Sequence, residues 1–135
     1  MNDNPRENSD SIKRGLAIAK KMVGETVASA IEGSIGSTQF GAYRGEMAVD
    51  FVFGKLWSRP ELDMRARSLV TLGILIALGQ LGELKIHFMA AIRNGCTVRE
   101  IEEVLYHSAA YAGFPASNSA SHVATEVFRE AGLID

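Results

Sequence analysis

Two histidines stand four residues from a group that could share a proton with them. In "ELKIHFMAAIRNG" Glu83 precedes His87, and in "YHSAAYAG" His107 precedes Tyr111. If both stretches are helical, each pair lies on one face. A carboxylate beside an imidazole orients the ring and raises its proton affinity. A histidine titrating near neutrality can then give or take a proton in a reaction. The plain alternative for His87 is a helix-edge ring bonded to a neighbour, with Glu83 merely solvated. His107, beside Val104, reads equally as a structural boundary histidine. His122, in "SASHVA", has small neighbours that leave room for a ligand or for a close helix contact.

The elements that must position these residues are helical. Ile12, Leu16, Ala19 and Val23 recur at helical spacing. "IEGSIGSTQ" reads as a Gly/Ser loop, and the spacing predicts a helix from about Phe40 to Leu56. "SRPELD" is a turn, with Asp63 as N-cap of "MRARSLVTLGILIAL". That helix is apolar nearly all round after Ser68, which predicts a place at the domain centre. Arg65 and Arg67 open it, where positive charge opposes the helix dipole. Asp63 or Glu61 is the expected partner for one of them. Gly79 and Gly82 mark a short break before the His87 helix, which stops at Asn94-Gly95. Thr97 and Glu100 form a capping box for the next helix. Gly113 and Pro115 end it, and a last helix finishes near Gly132. The prediction is an all-α chain of about six helices, with residues 1–10 as a disordered tail and 11–135 as one domain.

Composition narrows the function. A length of 135 residues suits one domain with a real core. The net charge of −2 gives no strong pull toward nucleic acid. The longest run free of Asp, Glu, Lys, Arg and His, Ser68 to Gly82, is 15 residues, short of the roughly 18 expected of a membrane span. The start "MNDNPRENSDSIKR" is polar and has no apolar signal-peptide core. Cys96 is the single cysteine, which excludes an internal disulfide and CxxC chemistry. A cytoplasmic setting is the expectation.

Four segments in series carry a resemblance. "WSRP", "LDMRARSLVTL", "ELKIHFMAAIRNG" and "YAGFPA" resemble, in order and spacing, the carboxymuconolactone decarboxylase family, over about residues 15–130. The resemblance implies an alkylhydroperoxidase-D-like helical fold. It also implies a homo-oligomer, trimer or hexamer, with sites at subunit boundaries. The peroxidase branch of this family carries CxxCxxxH. On that pattern His87 takes the histidine position, while Gln80 and Glu83 stand where the two cysteines would be. A thiol pair is needed to reduce a peroxide, so the resemblance is to the decarboxylase branch. Two positions depart from it. "DFVFG" places Asp50 where a glutamate is usual, and His107 stands where glutamine is frequent.

The type reaction implied is the cofactor-independent decarboxylation of 4-carboxymuconolactone, a step of aromatic-compound catabolism. The substrate is its own electron sink, so neither cofactor nor metal is expected. The protein must hold the acid, keep water away, stabilise the developing oxyanion and deliver a proton. The resemblance assigns proton delivery to His87, tuned by Glu83, with His107 as a further acid–base group. It leaves one of Arg65 and Arg67 to grip a carboxylate bidentately, with Tyr111 and His122 as substrate contacts. The partners expected are a small carboxylated lactone or similar acid and other copies of the chain. Neither nucleic acid nor a membrane is expected. Two competing readings stand beside this one. The first is isomerisation or weak peroxide reduction in the same pocket, and the second is a non-catalytic helical binding oligomer.

Overall fold

A computed structural model describes residues 9–135. The expected tail at residues 1–8 lies outside the described residues, while Ser9 and Asp10 already belong to a helix start. The described residues are helical throughout, with seven α-helices and one π-helix. They fall into two compact units that divide between Asp63 and Met64.

The first unit begins with α1 (Asp10–Val23), whose first turn is capped by Ser9 Oγ accepting from the Ile12 N–H at 3.3 Å. Gly24, at φ 87°, separates it from α2 (Glu25–Ser34). The predicted Gly/Ser loop is therefore helical as far as Ser34. After a turn comes α3 (Tyr43–Met47), which runs directly into the π-helix (Ala48–Leu56). The single α-helix expected over 40–56 is thus short and changes register. Its last turn shows the wider spacing, with Trp57 N–H donating to Val52 C=O at 2.8 Å.

Packing against α1 gives this register a physical reason. A Cβ on Gly15 would lie 2.0 Å from the Val49 carbonyl oxygen, and one on Gly54 would lie 2.0 Å from that of Ser11. The backbones touch at both points, which only glycine permits. Ser11 and Gly15 are one α-turn apart, whereas Val49 and Gly54 are five residues apart. Only a π-turn brings that second pair onto one face. The seam is then clamped by polar groups. Asp50 accepts from Ser11 Oγ and pairs with Lys55 at 2.8 Å, and Arg14 Nε donates to Gly54 C=O at 3.3 Å. These contacts hold the Asp50 carboxyl below its usual range, the Lys55 hydrogen bond contributing most. Ile12, Ile35 and Val49 form the small core, with Leu16 and Ile31 against it. Trp57 is buried.

The second unit holds α4 (Met64–Leu78), α5 (Leu81–Arg93), α6 (Val98–Ala112) and α7 (Phe114–Glu130). Pro115 opens α7, its fixed φ suiting a first turn. The larger core collects Leu72, Ile76, Leu84, Phe88, Ile101, Leu105 and Phe128. Phe88 and Phe128 meet edge to face with centroids 5.8 Å apart. The expectation for α4 needs correction. It packs on α5, α6 and α7 through one side only. Val70, Ile74 and Leu78, one turn apart along the other side, are 53%, 53% and 65% exposed. An all-apolar pattern predicts burial but does not say what does the burying.

Candidate active site

The hairpin of α4 and α5 positions His87. Gly79, at φ 68°, makes the tight turn, and Gln80 N–H donates to Leu75 C=O at 3.0 Å. At the open end Asn94 Nδ2 donates to Ser68 Oγ at 3.0 Å. Cys96 S–H donates to Arg65 C=O at 3.5 Å. These bonds fix an antiparallel register. His87 precedes Asn94 by seven residues, two turns on the same side of α5. Seven residues along α4 from Ser68 is Leu75. His87 therefore faces α4 at about the level of Leu75.

His87 sits at the boundary of the buried face of α5. Leu84, Ala90 and Ala91, at three or four residues from His87, are all 0% exposed. His87 itself is half-buried and Glu83 is exposed. Burial disfavours the imidazolium and pushes the His87 pKa down, while the Glu83 charge works in the opposite direction and loses. Glu83 acts with the sign its spacing predicts, but desolvation decides the net shift.

Gln80 opens α5 and Glu83 sits in its first turn, so no sulfur occupies the positions before His87. Cys96 is buried beyond the helix, with its proton on the Arg65 carbonyl. Cys96→Ser keeps a donor of similar size. It is expected to leave turnover within a few-fold of the parent in a steady-state assay. Loss of all activity in a folded variant would mean that a thiol takes part.

The two arginines have different surroundings. Arg65 pairs with Glu100 of α6, whose carboxylate also accepts from the Thr97 N–H at 2.9 Å in the capping box. Arg65 and Thr97 hold the Glu100 carboxyl below its usual range. The partner that offsets the Arg65 charge thus includes a residue 35 positions away in sequence. Glu61 pairs with Arg59 at 3.6 Å. Arg67 is half-buried, and its carbonyl accepts from Thr71 Oγ1 at 2.8 Å. Along α4 it stands eight residues from the level of His87, about 12 Å at the rise of an α-helix.

The remaining candidates lie on other helices. His107 and Tyr111 stack with centroids 5.0 Å apart and planes 29° apart on the exposed side of α6. His122 is exposed on α7. A groove of about 570 Å³ between α6 and α7 is lined by Val98, Leu105, Tyr106, Ala124, Phe128 and Ile134; His87 does not line it. The structure thus joins the predicted residues as separate groups: Glu83 with His87, Arg65 with Glu100, and His107 with Tyr111.

Sequence reasoning missed the Ser68–Asn94 pair. Both side chains are buried, and Asn94 Oδ1 has no hydrogen-bond partner. Asn94-Gly95 reads as a helix stop, and nothing local signals that the amide also pins α4.

Comparison with known proteins adds to this geometry. The family model for the carboxymuconolactone decarboxylase family matches residues 45–126. The chain belongs to that family. It is 39% identical over 134 residues to a 4-carboxymuconolactone decarboxylase of Acinetobacter baylyi, covering 98% of this chain and 94% of that one. It is 37% identical over 102 residues to a nitrosuccinic acid decarboxylase of Metarhizium robertsii, covering 75% of this chain and 69% of that one.

Proposed function

We propose that the protein is a cytoplasmic decarboxylase of a small carboxylated lactone, 4-carboxymuconolactone in the first instance, and that His87 delivers the proton. The observation that carries this reading is the half-buried imidazole at the family's histidine position, its pKa pushed down by burial, in a chain similar over nearly its whole length to a decarboxylase. Residues 11–135 act as one functional domain in this account.

The chemistry follows from the substrate. Its departing carboxylate sits on a carbon joined through a double bond to the lactone carbonyl. As the C–CO₂ bond breaks, its electron pair runs to that carbonyl oxygen. A poorly solvated site favours this step, because the localised carboxylate charge disperses in the transition state. One proton then completes the product. His87 must first acquire it, and an anionic acid bound alongside raises the ring's proton affinity. The substrate thereby helps to load its own proton donor. Glu83 supports the same charge from one turn away. Arg67 holds a carboxylate, and His107, Tyr111 and His122 complete the site from neighbouring copies.

Self-association is part of the proposal. The stripe of Val70, Ile74 and Leu78 passes the level of His87, and Tyr111 and Phe114 are 83% and 70% exposed. Apolar surface arranged along one helix side favours a partner, and closed symmetry makes a trimer or hexamer.

The test is CO₂ release from 4-carboxymuconolactone by the dialysed protein with nothing added. The reading expects stoichiometric CO₂ and enol-lactone. Binding of the acid without CO₂ would favour a binding oligomer.

A further inference from the structure

We infer that Asn94-Gly95 is a modification site of this chain. Opening of the turn between α5 and α6 lets the Gly95 nitrogen displace the Asn94 amide, and the aspartate and isoaspartate that form no longer pin α5 to α4. The chain has one Asn-Gly step. A backbone nitrogen can attack the amide carbon of the side chain before it and close a five-membered ring. Glycine has no Cβ and leaves that nitrogen unshielded. The fold needs this glycine for another reason. Asn94 is the C-cap of α5, and Gly95 follows at φ 98°, in the left-handed region that favours glycine. Gly95 N–H donates to Ile92 C=O at 3.1 Å and Cys96 N–H to Ala91 C=O at 2.9 Å, the paired bonds of a Schellman turn.

In the folded chain both reacting groups are held. The attacking nitrogen is engaged with Ile92, and the leaving nitrogen, Asn94 Nδ2, donates to Ser68 Oγ at 3.0 Å. Asn94 ψ of 4° sets the Gly95 nitrogen level with the Asn94 backbone nitrogen and away from its Cβ, so the ring closes only after that bond rotates. The hold is local. Asn94 is buried, but Gly95 is exposed, and a Cβ there would meet nothing within 4 Å. Asn94 Oδ1 has no hydrogen-bond partner, which leaves the Ser68 bond to secure the side chain. Rotation therefore breaks the two turn bonds and the Ser68 bond while the body of α5 stays formed. Openings of this kind at an element's end are more frequent than global unfolding.

In the open turn the Gly95 nitrogen bonds to Asn94 Cγ and gives its proton to solvent. The Cγ–Nδ2 bond breaks, and Nδ2 leaves as ammonia with a proton from water. Water then opens the ring at either carbonyl. One opening gives aspartate on the original backbone, and the other gives isoaspartate, with the backbone routed through Cγ. The net change is amide and water to carboxylate and ammonium, with no oxidation or reduction. Neither product carries Nδ2, so the bond donated to Ser68 is lost. Each places a carboxylate where the amide was buried, and desolvating a carboxylate is unfavourable. Isoaspartate also adds a backbone carbon ahead of Cys96, whose S–H donates to Arg65 C=O at 3.5 Å. Both ties between the end of α5 and the start of α4 weaken, and the hairpin that positions His87 loses its register.

The test ages the full chain in mildly alkaline buffer, folded and in concentrated urea. The Asn94 peptide is followed by mass and by the chromatography that separates isoaspartate from aspartate. Conversion is expected in both, slower in the folded parent by roughly 10²-fold or more, because only the open fraction reacts. Folded Ser68→Ala should convert roughly 10–100-fold faster than the folded parent, the scale of leaving a buried polar group unpaired, and at the parent's rate in urea. Ile101→Val, a core change on α6 that leaves the bonds of the turn in place, should speed conversion far less. The aged fraction, richer in negative charge, is separated by ion exchange and should melt below the parent. Equal rates for folded and urea-treated parent would overturn the inference, as would an unchanged rate in folded Ser68→Ala. Equal acceleration by Ile101→Val would place the gate at global unfolding and overturn it too. An aged fraction that melts with the parent would show that the pin survives, against the inference. Should Ser68→Ala not fold, hydrogen exchange of the Gly95 and Cys96 amides in the parent decides. Protection by the same factor as Asn94 conversion is expected, and a different factor would overturn the local gate.

Discussion

His87→Gln is expected to lower turnover by about 10²–10⁴-fold, the usual range for losing a general acid or base. Glutamine approximates the volume of the ring, so it limits the cavity left at this half-buried position. It can still donate a hydrogen bond, but it cannot give up a proton at neutral pH. His87→Ala should match it in activity and be less stable, because the ring is half-buried on α5. Thermal melts and light scattering on both variants separate the two effects. Near-parent turnover in His87→Gln would make the ring a packing residue and pass proton delivery to another group. Loss of activity that tracks unfolding would make its role architectural.

The second large effect concerns assembly. Ile74 is more than half exposed and sits between Val70 and Leu78 on α4. In a single chain Ile74→Arg is expected to fold normally, since an exposed helical position tolerates a long cation. In an assembly that covers this stripe, the same arginine is a buried, unpaired charge. That costs about 3–5 kcal/mol, or roughly 10²–10⁴-fold in each association step. Light scattering at micromolar concentration should show an oligomer for the parent and a monomer for Ile74→Arg. CO₂ release should fall with it if, as proposed, the site draws residues from neighbouring copies. A variant that stays assembled would show that the stripe is not the interface, and a monomeric parent would remove the shared site altogether.

The sequence makes some of this legible for local reasons. The Thr97–Glu100 capping box, the stop at Asn94-Gly95 and the Glu83–His87 adjacency all depend on residues within four positions of each other. Periodicity reads such features directly. What it misses depends on packing. The π-helix exists because Val49 and Gly54 both press on α1, and the residue pattern of 48–56 is equally good for an α-helix. The Arg65–Glu100 pair joins two helices far apart in sequence. The His87 pKa is the most instructive case. The nearby carboxylate is visible in the sequence, but α4 and the buried neighbours of His87 are not, and they determine the sign of the shift.

The central claim, that His87 is the proton donor, is tested most directly by titration. The imidazole of His87 would be followed by NMR beside the pH dependence of kcat/KM, in the parent and in Glu83→Gln. The donor must be protonated, so activity is present below its pKa and lost as pH rises through it. Burial places that pKa below the usual histidine value in the free protein, and Glu83 holds it up in part. The account predicts that the kinetic limb coincides with the His87 titration and that both move to lower pH in Glu83→Gln. A limb that stays fixed while the His87 titration moves would contradict it.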